Sequence, residues 1–357
     1  MCYKHKGFVI FVNLVIIISI LTGCSEAENT DTASQSQTQT LPISENYFIF
    51  DTVVSVRVYD ERIEKSHFDY IESIMEQIDE TMNRFKEESE VAKVNRLAGE
   101  EAVQVTEETY HIIKTAKEYA LRSEGRFEPT IGPLVDLWAI GNGGSEVPPI
   151  AEIDAAKQLI DFNKLELNDD SLTVKLQQKG MTLDLGAIAK GYAADVIASY
   201  LQEQGFTSAI IDLGGNILAM GSKPDKSPWR IGIQSPDENR GEHLGTISVV
   251  NKTIVTSGVY ERYFIYDNKQ YHHIIDPFTG YPAANELASA TIITEKSMHA
   301  DAMSTTVFLL GLEEGMAFVE STENTEAIFV TNDHKVYVTS GLKDNFKLTR
   351  QEYELVE

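Results

Sequence analysis

Three short stretches of the chain carry side chains able to work on an anionic ligand. DLGAIAKGYAAD (184–195) ends an apolar run on an acidic residue, turns at a glycine and opens a helix with Lys190 in its first turn. Gly186 permits the tight turn, free N–H groups at a helix start attract a phosphate, and Lys190 adds a point charge. The same residues allow a plainer arrangement, with Asp184 capping the helix and Lys190 reaching solvent. The stretch has neither the spacing of a P-loop nor the G-x-G-x-x-G of a dinucleotide fold. ADAMSTTVFLLG (300–311) sets Asp301 and Thr305 at i and i+4, on one face near the start of a helix. That pair of oxygens suits a hard cation such as Mg²⁺, which keeps waters and phosphate oxygens in its shell. It also suits a helix dipole and a threonine bonded back to a carbonyl. HHIIDPFTGYP (272–282) is read as a strand that ends in an Asp-Pro turn. Two adjacent strand histidines face opposite sides, so one neutral imidazole could accept a proton from a hydroxyl while the other is structural.

The surrounding elements mix strands and helices without a regular βαβ rhythm. YFIFDTVVSVRVYD (47–60) alternates as one half-buried strand, and Phe68, Ile71, Ile74, Ile78, Met82 and Phe85 recur at helical spacing. A second helix is expected from Thr106 as N-cap to Gly125 as C-cap. KLEL, LTVKL and MTLDL read as short strands before the first stretch. The second half of the chain is mostly β, from SAIID and NILAMG through TIVTSG and YERYFIYD to SATIIT. A helix near 299–310 and a final αββ stretch close the chain. Adjacent strands with helices set apart predict an α+β protein, mostly antiparallel sheet with flanking helices.

The chain has 357 residues, enough for a sizeable core, and a net charge of −25. Such acidity repels a phosphate backbone, so nucleic acid is not expected as a partner. Lys4 and Lys6 precede an apolar run from Phe8 to Leu21, and Leu21-Thr22-Gly23-Cys24 comes next. The run is shorter than the roughly 20 apolar residues of a membrane span. It reads as a secretory signal over 1–23, with LTGC resembling a bacterial lipobox and Cys24 as the lipidated residue. Residues 24–45 read as a flexible tether and 46–350 as the folded domain. The expected location is the extracytoplasmic face of the cell membrane, held by the lipid.

In order along the chain, DLGAIAKGYAAD, DLGGN (212–216), TSGVYERY (256–263), HHIIDPFTGYP and ADAMSTT resemble the motifs of the ApbE flavin transferases, which move FMN from FAD onto a threonine or serine of a target protein. GRFEPTIGPLVDLW (125–138) and SEVAKVN (89–95) are also similar to family segments, so the resemblance spans most of residues 47–340. It implies a T-fold-related architecture with the active site in a central cleft. It also implies Asp301 and Thr305 as side-chain ligands of Mg²⁺, or of Mn²⁺, with the Ala187 carbonyl as a third ligand. FAD contacts are implied at Phe50, Phe85, Arg126, Phe127, Glu128, Asp184, Lys190 and the backbone around Ile275, and assistance to transfer at His273. The implied partners are FAD and an acceptor flavoprotein with a target Thr or Ser. Phe85 stands where many relatives have tyrosine, and Glu128 lengthens a carboxylate that is often aspartate. A pyrophosphatase that passes FMN to water, or a lipoprotein that binds flavin without cleaving it, remains open on the sequence; AMP release and a mass gain on an acceptor threonine separate the three.

Overall fold

The computed structural model describes residues 41–238 and 241–356, so the signal, Cys24 and the tether as far as residue 40 lie outside the described residues. Chain order starts with β1 (Ile43–Ile49) and β2 (Thr52–Val58), joined through Phe50 and Asp51, both at positive φ (55° and 56°). The 47–60 stretch is therefore a hairpin rather than one strand. Its turn has none of the Asn-Gly or Asp-Gly chemistry that announces such a turn, and the alternation simply resumes beyond it. Next come α1 (Lys65–Met82), α2 (Glu90–Arg96), β3 (Val103–Gln104) and α3 (Glu107–Arg122). Ser89 and Thr106 cap α2 and α3 by accepting from the Ala92 and Thr109 amides, each worth about 1 kcal/mol. At the far end of α3 the C-cap is Ser123 rather than Gly125: Glu124 already takes the left-handed conformation (φ 52°), and Gly125 follows it (φ 86°) with its amide closing on the Ala120 carbonyl.

Two short helices, α4 (Gly132–Trp138) and α5 (Ile150–Lys157), precede the hairpin of β4 (Leu165–Asn168) and β5 (Thr173–Leu176). MTLDL is not a ladder strand. It is extended, with a single parallel bridge from Thr182 to Ile131, and it runs into α6 (Ala189–Glu203). The β-rich half holds β6 (Ser208–Leu213), β7 (Asn216–Gly221), β8 (Trp229–Gln234), β9 (His243–Val249), β10 (Lys252–Gly258), β11 (Tyr263–Tyr266), β12 (Lys269–His272) and β13 (Leu287–Thr294). The chain closes with α7 (Ser297–Leu310), α8 (Leu312–Glu320), β14 (Glu326–Thr331), β15 (Lys335–Val338), β16 (Lys347–Leu348) and β17 (Glu354–Val356). Strand pairing thus begins at Ile43 and ends at Val356, beyond both edges of the 46–350 expectation.

Among the described residues nine strands form one sheet in the order β1-β2-β6-β7-β10-β13-β14-β15-β17, antiparallel except for β15–β17. This is the α+β, mostly antiparallel architecture that the strand pattern predicts. One face of the sheet is covered by helices, with α6 against β6 and β7, α7 against β10 and β13, and α8 against β14. The other face packs Ile210, Ile254, Ile293 and Ile328 against Trp229, Ile231 and Ile247 of the small β8–β9–β16 sheet. A third cluster joins Leu134, Trp138 and Ile153 to Ile275, with Trp138 stacked on Tyr271 at 5.6 Å. It seats the separate β11–β12 hairpin, which leads into the Asp-Pro turn.

Candidate active site

The helix α7 is buried almost all round, including Asp301 at 5% exposure and Ser304 at 1%. A polar side chain in such a helix must be satisfied locally. The Ser304 hydroxyl donates to the Asp301 carbonyl (2.9 Å) and the Thr306 hydroxyl to the Ala302 carbonyl (2.8 Å). The back-bond to Asp301 is made by Ser304, which leaves the Thr305 hydroxyl directed elsewhere. It lies 3.3 Å from the Ser257 hydroxyl, which is also 2.9 Å from Ser304. Ser257 sits near the end of β10, inside the TSGVYERY stretch, where the sequence gives it no role. A lone serine beside a glycine turn carries no local signal, and only the packing of α7 on β10 identifies it.

Asp301 meets α6 directly, its Oδ2 accepting from the Gly191 amide at 2.9 Å. That amide would otherwise close the first helical turn onto the Ala187 carbonyl. Among the described residues no N–H is directed at that carbonyl, while the neighbouring Leu185 and Ile188 carbonyls are both engaged. Gly191 is required here, because a Cβ would lie 2.2 Å from the Ser297 carbonyl oxygen. The crossing therefore gathers one carboxylate, one or two hydroxyls and one unengaged carbonyl, all hard oxygen donors. A single formal charge leaves such a set dependent on further anionic oxygens, which fits a cation shared with a pyrophosphate. No group of three or more His, Cys, Asp or Glu able to hold a metal occurs among the described residues.

Lys190, one residue before Gly191, donates to the Gly186 carbonyl at 3.1 Å and closes the turn that precedes it. Asp184 caps that turn by accepting from the Gly186 amide at 2.9 Å and also pairs with Arg84 Nε at 2.9 Å. Arg84 bridges on to Asp136 and lies 4.5 Å from the Phe85 ring centroid. Phe85 stands past the end of α1 and is 67% exposed, which makes it a surface ring on a cation.

His272 ends β12 and His273 lies just beyond it. The buried His272 donates from Nε2 to the Ala283 carbonyl (2.9 Å) and accepts at Nδ1 from the Ile274 amide (3.3 Å), so both its nitrogens serve structure. His273 has Nδ1 3.3 Å from the Arg262 carbonyl, which fixes the tautomer with Nδ1–H donating and Nε2 carrying the lone pair. Burial first, then the nearby Arg262 guanidinium, hold its pKa down to about 3, and the Lys190 ammonium adds to the shift. Lys190 and His273 thus share one electrostatic neighbourhood. Past Ile275, which bridges to Pro282, Asp276 faces Arg126 at 3.6 Å and Arg126 covers the Phe278 ring at 4.8 Å.

Other implied contacts face inward. The Phe127 ring is 4% exposed and packs beside Tyr119. Glu128 accepts from the Thr130 amide (2.8 Å) and hydroxyl (2.7 Å) and from the Phe162 amide (3.0 Å), while burial pushes its pKa up. Phe50 packs against the main core from its place in the β1–β2 turn. Two cavities open nearby, of about 230 Å³ beside Tyr260, Tyr263 and Gln270 and about 300 Å³ beside Asp195, Lys296 and His299. Neither is lined by Asp301, Thr305, Lys190 or His273; the donor cluster lies in a polar seam between helices.

The profile of the ApbE family matches residues 50–329. The chain is 39% identical to an FAD:protein FMN transferase of Klebsiella pneumoniae, covering 78% of this chain and 85% of the relative. It is 34% identical to one of Treponema pallidum, covering 84% and 87%. Among solved structures, the ApbE protein of Thermotoga maritima superposes with TM-score 0.77 at 32% identity, and the flavin transferase ApbE of Vibrio cholerae with TM-score 0.74 at 27%. Each superposition covers 85% of this chain and 99% of the other. The chain belongs to the ApbE family.

Proposed function

We propose that this protein is an FAD:protein FMN transferase, which moves FMN from FAD to a threonine or serine hydroxyl of an acceptor protein and releases AMP. The observation that carries the reading is the oxygen-donor seam of Ala187, Asp301 and Thr305 beside Lys190 and His273, in a chain whose relatives carry that name. Residues of this kind suit phosphoryl transfer, which demands positioning and charge neutralisation more than covalent chemistry. The donor set fits Mg²⁺, with Asp301, Thr305 and the Ala187 carbonyl as its ligands. When bound, such a cation neutralises charge on non-bridging phosphate oxygens.

The chain's own residues do the rest. Lys190, held at the glycine turn, offers a supporting charge to the pyrophosphate. The acceptor hydroxyl attacks the phosphorus on the FMN side; a new O–P bond forms, the bond to the bridging oxygen breaks, and AMP departs with that electron pair. The proton passes to His273 Nε2, the nitrogen left free by the Nδ1–H contact to Arg262. An imidazole held neutral can accept it, and pyrophosphate charge nearby raises the affinity of that nitrogen for the proton. Arg126 and the exposed rings of Phe85 and Phe278 suit the flavin and adenine ends, where stacking and cation–π contact tolerate solvent.

Incubating residues 41–357 with FAD, Mg²⁺ and a candidate acceptor tests the reading by intact mass. One FMN moiety gained per acceptor, with one AMP released, supports transfer. AMP without acceptor labelling would reduce the protein to a pyrophosphatase, and FAD binding without AMP to a carrier. Membrane attachment through Cys24 on the extracytoplasmic side is part of the same proposal, supported by the LTGC signal. Cys24→Ser is expected to release the protein from membranes with its specific activity unchanged; an inactive but folded soluble form would contradict that separation.

A further inference from the structure

Asp195 closes the DLGAIAKGYAAD stretch, yet the transfer chemistry makes no use of it. It lies four residues after Gly191, hence on the same face of α6. Its two carboxylate oxygens accept from two successive amides at the start of α7: Oδ1 from Ser297 and Oδ2 from Met298, both at 2.9 Å. No α7 residue caps this end, since the N-cap Lys296 makes no side-chain cap bond. Four residues further along α7 stands Asp301, which accepts from the Gly191 amide. The two helices are therefore locked by a reciprocal pair. α6 donates at 191 and accepts at 195, while α7 donates at 297 and 298 and accepts at 301.

We infer that Asp195 is a positioning residue for the oxygen-donor seam, setting the rotation and height of α7 so that Asp301 reaches the Gly191 amide and leaves the Ala187 carbonyl open. The physical case is geometric. Two contacts one helical turn apart fix both the slide and the rotation of one helix on the other, whereas the Gly191–Asp301 bond alone fixes neither. Gly191 lets the backbones approach until a Cβ would touch the Ser297 carbonyl, so the seam has no slack to absorb a shift. With the capping carboxylate removed, the first turn of α7 has its amides unpaired and its dipole uncompensated. The strain falls on the turn that leads into Asp301. Partners that orient ligands in this way typically contribute about 10- to 100-fold to metal affinity.

The inference rests on the proposed metal role of Asp301, so Asp301→Asn is measured beside Asp195→Asn. Asparagine keeps the shape at 195 but presents an NH₂ to one of the two amides. Mn²⁺ affinity is read directly by electron paramagnetic resonance, and the metal concentration for half-maximal AMP release is read alongside KM for FAD at saturating metal. Asp195→Asn is expected to weaken both metal readouts about 10-fold or more, with KM for FAD within a few-fold of wild type. Asp195→Glu, which keeps the charge, is expected to fall between the two and stands in if the asparagine variant does not fold. A lowered Tm with metal affinity within two-fold of wild type would make Asp195 a helix cap and nothing more. If Asp301→Asn also retained Mn²⁺ affinity, the metal reading itself would fall, and the inference with it.

Discussion

Under the proposed function the α6–α7 crossing and the rim formed by Phe85, Arg84, Arg126 and Phe278 would serve one ligand by opposite means. At the crossing the polar groups are close and mostly buried, with the Ala187 carbonyl alone left without a donor among the described residues: Asp301 is 5% exposed, and backbones approach to a separation only glycine allows. At the rim the rings are 67% and 52% exposed, and their partners are guanidinium groups 4.5–4.8 Å from the ring centroids. Under the same proposal the difference matches what each half would hold. Charge developing on phosphate oxygens needs donors fixed in advance in a dry setting, whereas flat aromatic ligands gain from stacking that survives in water. Substitutions in the crossing should therefore act steeply and through the metal, and substitutions at the rim mildly and through ligand affinity.

The largest effect is expected at Asp301. Asp301→Asn removes the only charged donor and should nearly abolish AMP release at any Mg²⁺ concentration, while Thr305→Val should cost less because water can replace a neutral ligand. Metal-dependence curves for the pair check this, and an Asp301→Asn enzyme with wild-type metal dependence would move the cation out of the seam.

His273→Ala comes next, with loss of about 10²–10⁴ in single-turnover transfer and FAD affinity within a few-fold, as for general-base help. His272→Ala should act through stability alone, since both its nitrogens are spent on backbone. The pH dependence sharpens the point. Because burial and Arg262 hold His273 down to about 3, the free enzyme should show no ionisation of this group near 6.5 in its kcat/KM profile. An inflection near 6.5 that vanishes in His273→Ala would mean a solvated imidazole. Stability carries the matching sign. Below about 6.5 the unfolded chain protonates this histidine and the folded chain does not, so folding stability is retained above that pH and lost as pH falls toward 3. Denaturant unfolding midpoints at pH 7 and 5 should differ less in His273→Ala than in wild type.

Gly191→Ala should destabilise by about 1–3 kcal/mol through overpacking against Ser297, visible as a lowered Tm, and should weaken metal affinity in the same preparation. The smallest effect is expected at the rim. Phe85→Tyr adds only a hydroxyl to a ring already in solvent and should change FAD KM less than about three-fold, since a surface substitution of this kind is usually within ±0.5 kcal/mol. A larger change would show that the rim folds over the ligand.

The chain's own periodicities foretell much of the fold. Thr106 caps α3 as its chemistry requires, whereas the C-cap is Ser123 and not Gly125, and NILAMG and WRIGIQ are β7 and β8 residue for residue. The turn at Phe50-Asp51 is hard to see in the sequence because Asp51 is its single turn-favouring residue, Phe50 takes φ 55° without being one, and the pairing of β1 with β2 holds both. MTLDL fails as a strand for the converse reason. Its pattern suits a ladder, yet its amides go instead to the Asn95 side chain and the Pro129 carbonyl.

For the site, sequence determined which residue types were available and how they were spaced: a carboxylate and hydroxyl at i and i+4, a lysine after a glycine turn, two adjacent histidines. Local spacing is set by covalent geometry and helical pitch, so these facts travel with the chain. Only the tertiary structure decided which were spent and which were free. Phe127 and Glu128 sit among plausible ligand contacts in sequence and are consumed by packing and by the Thr130 and Phe162 donors. Ser257 lies 48 residues from Thr305 and Asp195 lies 102 from Ser297, and both acquire their places because β10, α6 and α7 bury apolar faces on one another. A hydrogen bond depends on distance and angle, whatever the separation in sequence. Once the backbones are packed, whichever amide lies within about 3 Å takes the carboxylate, and that choice belongs to the fold.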